Sequence, residues 1–258
     1  VPVGPRVQRV GLGLYPGGYN VLPENHPHLT QILTVCQSIG EAEAMQVAFA
    51  GMSNARITAD AFLALLPGDA EMNPAIAFKN LAHSGAPLNK MSDPTSLYWT
   101  NSLPDLEVQF GVDPALVRIL ILLEPSANFL ADGKNPDGIP ADFAGYANWI
   151  ADKMKLSVDL FKARYTNLDL VVGTAAPFRG FGGIAGTDPT FSKCPCVHGG
   201  YEQAFGVREF IRRQMDGEEG YGYSEFPTVD WLCYPWSNGD GVLVPTPCMC
   251  WDAGVPMT

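Results

Sequence analysis

Ser53 is the residue of this sequence best suited to act as a nucleophile. It follows an apolar run, 46–50, and Gly51, and an amphipathic segment, 55–66, comes directly after it. That order predicts a buried strand that delivers a serine to a sharp turn at the start of a helix. The hydroxyl would then lie beside unpaired helix amides that stabilise negative charge. The alternative is that Ser53 only caps the helix, since serine is a preferred N-cap residue.

Two other predicted strands also end in residues that could contribute to a site. Gly85 follows the strand predicted at 75–82, and Asn128 follows the strand predicted at 117–123. The carboxyl ends of parallel strands meet at one edge of a sheet, where ligands bind. We therefore expect Ser53, Gly85 and Asn128 to lie at the same edge. Gly85 as an ordinary turn glycine and Asn128 as a loop-capping amide are the structural alternatives.

Five of the six cysteines lie in the last third of the chain, in two Cys-x-Cys pairs plus Cys233. Disulfides are rare in the reducing cytosol, so clustered cysteines in an acidic chain favour a secreted protein with disulfides. A metal site formed by the two pairs and His198 is the competing interpretation, although structural zinc sites usually space their cysteines by two to four residues. The six cysteines are Cys36, Cys194, Cys196, Cys233, Cys248 and Cys250.

His26 and His28 stand two residues apart in a segment that contains Pro27. They could be metal ligands or substrate contacts. A metal site needs at least a third ligand, and none accompanies this pair. The sequence therefore favours solvated loop histidines.

Strands and helices alternate along the chain, which predicts βαβ units and a parallel sheet with helices on both faces. The strand at 117–123 is almost entirely apolar, as is typical of a parallel strand covered on both sides. We predict an α/β fold, a three-layer α/β/α sandwich with a parallel five-stranded sheet, in a single domain over 1–258. Its strands are expected at 46–50, 75–82, 117–123, 168–173 and 229–233, and its main helices at 29–39, 55–66, 143–165 and 201–215.

Composition excludes several classes of partner. The formal net charge of −11 and the pI of about 4.7 argue against nucleic acid. No apolar run approaches the roughly 20 residues that span a bilayer, so we expect no membrane partner. The glycine-rich segment 180–186 lacks the Lys-Ser/Thr end of a phosphate-binding loop, and no cofactor is predicted. The sequence begins at Val1 without a basic and apolar leader, which fits either a processed or a trimmed chain, so a signal peptide would not be visible. The expected localisation, secreted or periplasmic, rests on the cysteines.

Several short motifs, taken in order, resemble the SGNH/GDSL hydrolases. They are Gly51-Met-Ser-Asn54, then Ser84-Gly85, then Ala127-Asn128. The segment Leu14-Tyr-Pro-Gly-Gly-Tyr-Asn20 ahead of them is similar to a mostly uncharacterised bacterial subgroup of that superfamily. The resemblance implies one SGNH-like, flavodoxin-like domain. Residues 1–40 would be an N-terminal extension and 234–258 a Cys-containing C-terminal loop region.

The resemblance also implies roles for three residues. Ser53 would be the nucleophile that attacks an ester carbonyl. Its backbone N–H, the backbone N–H of Gly85 and the side-chain amide of Asn128 would form the oxyanion hole. Each such donor can contribute roughly 3 kcal/mol in the transition state. Glycine at position 85 would let a backbone amide approach the substrate closely.

The sequence departs from the family at the catalytic base. The family places a histidine in an Asp-x-x-His motif after the fifth strand, and Asp252 is followed at that spacing by Val255. Either the natural chain continues past Thr258 into the motif, or the protein lacks the usual base. His83 stands near Gly85, but packing or a substrate contact is the favoured interpretation of its role over that of a substitute base.

The leading expectation is therefore a secreted serine esterase or deacetylase acting on a small-molecule or carbohydrate ester. The carbohydrate part rests on the resemblance and on aromatic residues in predicted loops, namely Tyr98, Trp99 and Trp236. The alternative is a non-catalytic secreted domain that uses the same scaffold to bind a glycan or a protein. A serine hydroxyl without a base is a weak nucleophile, and that weakness motivates the alternative.

Overall fold

The sheet has five parallel strands in the order β2-β1-β3-β4-β5. The computed structural model describes residues 15, 22–123, 140, 143–174 and 195–232, without the side chains of residues 54, 143 and 195–202. All five predicted strands and the parallel α/β/α architecture are confirmed. The strands are β1 Met45–Gly51, β2 Ile76–Asn80, β3 Val117–Leu123, β4 Leu170–Thr174 and β5 Thr228–Trp231.

Helices cover both faces of this sheet. One face carries α1 and α2, and the other carries α5 and α6, which pack closely against each other. Short helices α3 and α4, with a π-helical turn at Tyr98–Ser102 between them, connect β2 to β3. The bounds are α1 Pro27–Gly40, α2 Ser53–Leu65, α3 Leu88–Met91, α4 Leu103–Phe110, α5 Phe143–Arg164 and α6 Pro195–Met215.

Strand alternation divides the apolar residues between two cores. In β1, Val47 and Phe49 face α1 and α2, whereas Ala48 and Ala50 face the α5 side. The two alanines leave room on that side for larger neighbours, among them the fully buried Leu120. Burying one such leucine stabilises the fold by roughly 1.5–3 kcal/mol. Because β1 is covered on both faces, its sequence is apolar except for Gln46, whose side chain is hydrogen-bonded to Gly111 and Asp113.

The sheet reverses its direction of growth at β1. The chain passes from β1 outwards to β2 and then returns to place β3 on the other side of β1. Crossovers between parallel strands are right-handed, so this reversal moves the helices to the opposite face. Ligands of such sheets bind outside the carboxyl ends of the strands at this switch point. The expected ligand crevice therefore lies at the carboxyl ends of β1 and β3.

Helix α1 belongs to the packed domain, although it falls within the predicted N-terminal extension. The Gln31 side chain donates a hydrogen bond to the Thr228 hydroxyl at 3.5 Å. At the other end of α1, the Arg118 guanidinium donates to the carbonyl oxygen of Ser38 at 3.1 Å. These contacts place α1 across β3, β4 and β5. No helix in the described ranges has the length and apolarity needed to cross a membrane.

Candidate functional site

The turn after β1 is built around Gly51. Its φ of +144° is a backbone conformation that residues with a side chain rarely adopt. A Cβ atom added here would lie 2.1 Å from the carbonyl oxygen of Leu123 and 2.6 Å from the Cβ of Ala55. Gly51 thus lets the end of β3 and the first turn of α2 close around it. This turn determines where the next residues of the chain lie.

Ser53 is the first residue of α2, one position inside the N-cap. The N-cap is Met52, a buried residue in an extended conformation, and no side chain caps the helix there. The Ser53 side chain is partly exposed, and its hydroxyl forms no hydrogen bond with any described residue. The alternative, in which Ser53 only caps the helix, is therefore wrong. Its N–H belongs to the first turn, where amides have no partner within the helix.

The chain after β2 runs alongside this turn. The Leu81 N–H donates to the carbonyl oxygen of Phe49 at 2.9 Å, and the His83 N–H donates to that of Gly51 at 3.0 Å. The parallel ladder thus continues beyond the end of β2. In this register His83 lies opposite Met52, next to Ser53 in the chain.

Gly85 lies two residues further on, in a turn with a φ of +84°. A Cβ atom added to Gly85 would meet nothing within 4 Å, so its backbone is open on that side. Ser53 and Gly85 therefore share the carboxyl edge of β1 and β2, as the alternation of strands and helices predicts. Asn128 lies outside the described residues. The strand before it, β3, ends at Leu123, which pairs with Gly51 at this same edge.

The two histidines near the amino terminus lie at the start of α1, and only one of them is partly exposed to solvent. His26 is the N-cap of α1, and its ring Nδ1 accepts a hydrogen bond from the His28 N–H at 3.1 Å. His28 is 1% exposed, and its Nδ1 is hydrogen-bonded to the Tyr223 hydroxyl at 2.7 Å. The solvated-loop prediction is wrong for His28, because Tyr223 and β5 close over it. Burial lowers the pKa of His28, while the nearby carboxylate of Asp230 acts in the opposite direction.

A polar contact at the outer edge of the sheet escaped the sequence analysis. The Tyr15 hydroxyl donates a hydrogen bond to the carboxylate of Asp230 in β5 at 2.7 Å. Burial, followed by this contact, raises the pKa of Tyr15. The Arg208 guanidinium also donates to the Tyr15 carbonyl oxygen at 3.3 Å. An aspartate within an otherwise apolar strand was the available signal. Tyr15 is the part of the Leu14–Asn20 motif that the structure describes, and it holds the edge of β5.

Two of the three aromatic residues that motivated the carbohydrate expectation, Tyr98 and Trp99, make structural contacts. Tyr98 is buried and donates to the carbonyl oxygen of Leu81 at 3.2 Å. The Trp99 indole donates to the carbonyl oxygen of Met91 at 2.7 Å and packs 4.8 Å from the Phe161 ring. Both rings hold the β2–β3 connection against α5. Tyr98 is therefore too buried to contact a carbohydrate, whereas Trp99 is partly exposed and its contact with one stays a prediction. Trp236 lies outside the described residues.

A shallow polar cleft of about 170 Å³ lies at the opposite edge of the sheet. It is bordered by Asp169 and Thr228, at the amino ends of β4 and β5, and by Lys162. The Lys162 ammonium already donates to the carbonyl oxygens of Thr166 and Leu168. Its position excludes this cleft from the site around Ser53.

The cysteine predictions fall almost entirely outside the described side chains. Cys36 is an exposed free thiol. The side chains of the other five cysteines are not described, so their pairing remains a prediction. Within the ranges given above, no three His, Cys, Asp or Glu side chains group as a metal site would require.

No protein-family model, curated protein or solved structure matches this chain. The resemblance to SGNH/GDSL hydrolases therefore rests on the short motifs themselves. Independent support for a function has to come from the geometry of the Gly51–Ser53 turn and the 83–85 segment beside it.

Proposed function

We propose that this protein is an SGNH-type serine esterase or deacetylase, with Ser53 as its nucleophile. The observation that carries the proposal is the Ser53 hydroxyl itself. It is partly exposed, free of hydrogen bonds to described residues, and attached to a turn that only glycine at position 51 permits. That turn lies at the switch point of the sheet, where ligands of such folds bind. A serine kept only for structure would ordinarily use its hydroxyl in a cap or turn.

The surroundings of Ser53 suit an anionic intermediate. Attack of Oγ on an ester carbonyl places a negative charge on the carbonyl oxygen. The Ser53 N–H, at the start of α2, and the Gly85 N–H, in an open turn, are backbone donors at this edge. Asn128 is the third donor of the proposal, on the strength of the resemblance alone. Removing one such donor typically slows acyl transfer by roughly a hundredfold to a thousandfold.

The substrate class is best stated as a small acyl ester. The proposal of a carbohydrate as the alcohol part of the substrate rests on the resemblance, because Tyr98 is buried and Trp99 packs against the core with its indole N–H bonded to Met91. Likewise, secretion rests on the cysteine pattern of the sequence.

The test is hydrolysis of p-nitrophenyl acetate together with covalent labelling by a fluorophosphonate probe. Wild-type protein is expected to turn over the ester and to carry the probe on Ser53. Ser53→Ala is expected to reduce kcat/KM at least about a thousandfold and to abolish labelling, because the nucleophile is lost. Ser224→Ala, an exposed serine at the opposite edge, is the matched control and is expected to retain both activities. Turnover that survives in Ser53→Ala would overturn the assignment.

A non-catalytic binding domain on the same scaffold is the second candidate. It is favoured by one observation: among the described residues, no side chain is hydrogen-bonded to the Ser53 hydroxyl as an activating base would be. This candidate predicts that the wild-type protein resists the fluorophosphonate. Specific labelling of Ser53 would exclude it.

A further inference from the structure

An esterase built on Ser53 needs a base, because a serine hydroxyl attacks esters only when its proton is accepted. The chain has four histidines. His26 and His28 lie beside β5, and β5 is separated from β1 by β3 and β4. Three inter-strand spacings amount to about 14 Å, beyond the reach of an imidazole. The side chain of His198 lies outside the described residues.

His83 is placed differently. The hydrogen bond from its N–H to the Gly51 carbonyl oxygen, 3.0 Å long, puts its backbone opposite Met52. Neighbouring strands lie about 4.8 Å apart, and consecutive Cα atoms about 3.8 Å. The Cα atoms of His83 and Ser53 are therefore no more than about 9 Å apart. An imidazole on one of them can reach a hydroxyl on the other.

Both side chains are also uncommitted. The His83 ring is partly exposed and, like the Ser53 hydroxyl, forms no hydrogen bond with a described residue. Unpartnered polar groups at ligand-free sites often align only when substrate binds. The connection that carries His83 also carries Gly85. A single segment would thus supply both a base and an oxyanion donor.

We propose that His83 is the general base for Ser53, an inference that rests on the proposed function. Its imidazole accepts the Ser53 proton as Oγ bonds to the ester carbonyl carbon and the carbonyl electron pair moves to oxygen. When the tetrahedral intermediate collapses, the C–O bond to the alcohol breaks and the imidazolium protonates the departing oxygen. In the second half a water molecule gives its proton to the imidazole and attacks the acyl-enzyme. The imidazolium then returns the proton to Ser53 as the acid leaves.

The first experiment compares His83→Gln with wild type in p-nitrophenyl acetate hydrolysis. We expect kcat to fall by about a hundredfold to ten-thousandfold, which is the usual contribution of a general base. KM is expected to stay within threefold, and the acid limb of the pH–rate profile to disappear. The matched control is His26→Asn, which removes a partly exposed histidine near β5 but keeps an acceptor for the α1 cap. Its kinetics are expected to match wild type.

Chemical rescue separates a base from a structural residue. Free imidazole is expected to raise the rate of His83→Ala at least tenfold and to leave the rate of Ser53→Ala unchanged. Thermal melting followed by circular dichroism checks that both variants fold. Because the His83 ring forms no hydrogen bond with a described residue, the melting temperature of His83→Ala is expected to stay close to that of wild type.

The outcomes separate the two claims. Wild-type activity that depends on Ser53 but changes less than threefold in His83→Gln overturns the inference and leaves the esterase in place. A large increase in KM with kcat unchanged, or a fall in kcat that imidazole does not rescue, would make His83 a substrate contact and would also overturn the inference. A wild-type protein that neither hydrolyses the ester nor labels at Ser53 overturns the esterase and the base together.

Discussion

Two regions of this molecule treat their polar groups in opposite ways. At the junction of α4 and α5, the buried carboxylate of Glu107 accepts hydrogen bonds from both Nε and Nη2 of Arg164 and from the Tyr165 hydroxyl. At the carboxyl edge of β1 and β2, the Ser53 hydroxyl and the His83 ring have no partner among described residues. In the first region both carboxylate oxygens of Glu107 accept hydrogen bonds, whereas in the second region neither polar side chain has a partner among the described residues.

The difference shows where the fold uses polar groups for stability and where it leaves them without a partner among the described residues. A buried carboxylate is tolerated only when paired, so the Glu107 cluster has to be complete. Burial, followed by the Glu107 carboxylate, raises the pKa of Tyr165 and keeps that hydroxyl a donor. The Ser53 edge is partly exposed, so water can satisfy its groups until a ligand replaces it. Its stability depends instead on the backbone, through Gly51.

The largest expected effect comes from Gly51→Ala. The new Cβ would contact the Leu123 carbonyl oxygen, which is backbone, and the φ of +144° would be strained. We expect a loss of about 3–5 kcal/mol in the free energy of unfolding, from overpacking and strain together. Any folded fraction should also lose the proposed esterase activity by about a hundredfold, because Ser53 is displaced. Urea unfolding followed by circular dichroism measures the first effect.

Gly85→Ala is the matched comparison for that prediction. Its φ is also positive, at +84°, but the space beside it is open. Only backbone strain of about 1 kcal/mol is expected. Equal losses in the two variants would mean that the wall formed by Leu123 and Ala55 is not what requires glycine at position 51.

The second effect is expected at the satisfied region. Glu107→Ala leaves the Tyr165 hydroxyl without its acceptor inside the protein and the Arg164 charge without its partner. Arg164 is about one-third exposed, so water compensates part of the loss. We expect the free energy of unfolding to fall by about 2–4 kcal/mol, with the activity of the folded fraction unchanged. Thermal and urea unfolding measure the change.

Asp105→Ala provides the control, since this exposed carboxylate lies on the same helix. It is expected to change stability by less than about 0.5 kcal/mol. If Glu107→Ala were as mild as Asp105→Ala, the contrast between a committed and an uncommitted polar region would lose its energetic basis.

The smallest effect is a pH dependence that originates at His28. Because burial lowers the pKa of His28 in the folded protein, the unfolded chain takes up that proton first as the pH falls. The contribution to stability is fully present above the ordinary histidine pKa of about 6.5 and declines below it. Asp230 and His26 act on the same ring in opposite directions, Asp230 favouring the proton and His26 opposing it.

His28→Gln isolates the contribution of His28 to the pH dependence of stability, because it removes the titrating group from the same site. Urea unfolding at a series of pH values between 7 and 5 is expected to show a steeper loss of stability in wild type than in the variant. Parallel pH profiles for the two proteins would show that the burial of His28 is not linked to protonation.

Much of the fold was predictable from the sequence because its information is local. The apolar strand β3 and the alternation of strands with helices predict a parallel sheet without any contact being known. The bounds were less accurate: α6 starts at Pro195 rather than Tyr201. His28 was misjudged because histidine and proline are typical of loops, while the Tyr223 ring that covers it comes from a distant part of the chain.

The candidate site was predictable only in part. Gly51 followed by Ser53 after an apolar run indicates a serine on a strand-to-helix turn. The proximity of Ser53 to Gly85 follows once β1 and β2 are taken as parallel neighbours. The place of His83 could not be derived in this way, because it depends on the register of one hydrogen bond to Gly51. The aromatic pair Tyr98 and Trp99 looked like loop residues because their burial against α5 has no local signal.

The sequence by itself determined which segments form strands, that Ser53 lies at the turn after β1, and that the sheet is parallel. These properties depend on the hydrophobicity of neighbouring residues and on where glycine interrupts it. Only the tertiary structure decided that Gly51 must be glycine, that His83 lies opposite Met52, and that Ser53 does not cap its helix. Each of these depends on atoms brought together from separate strands. Local sequence preferences do not encode the distances between such atoms.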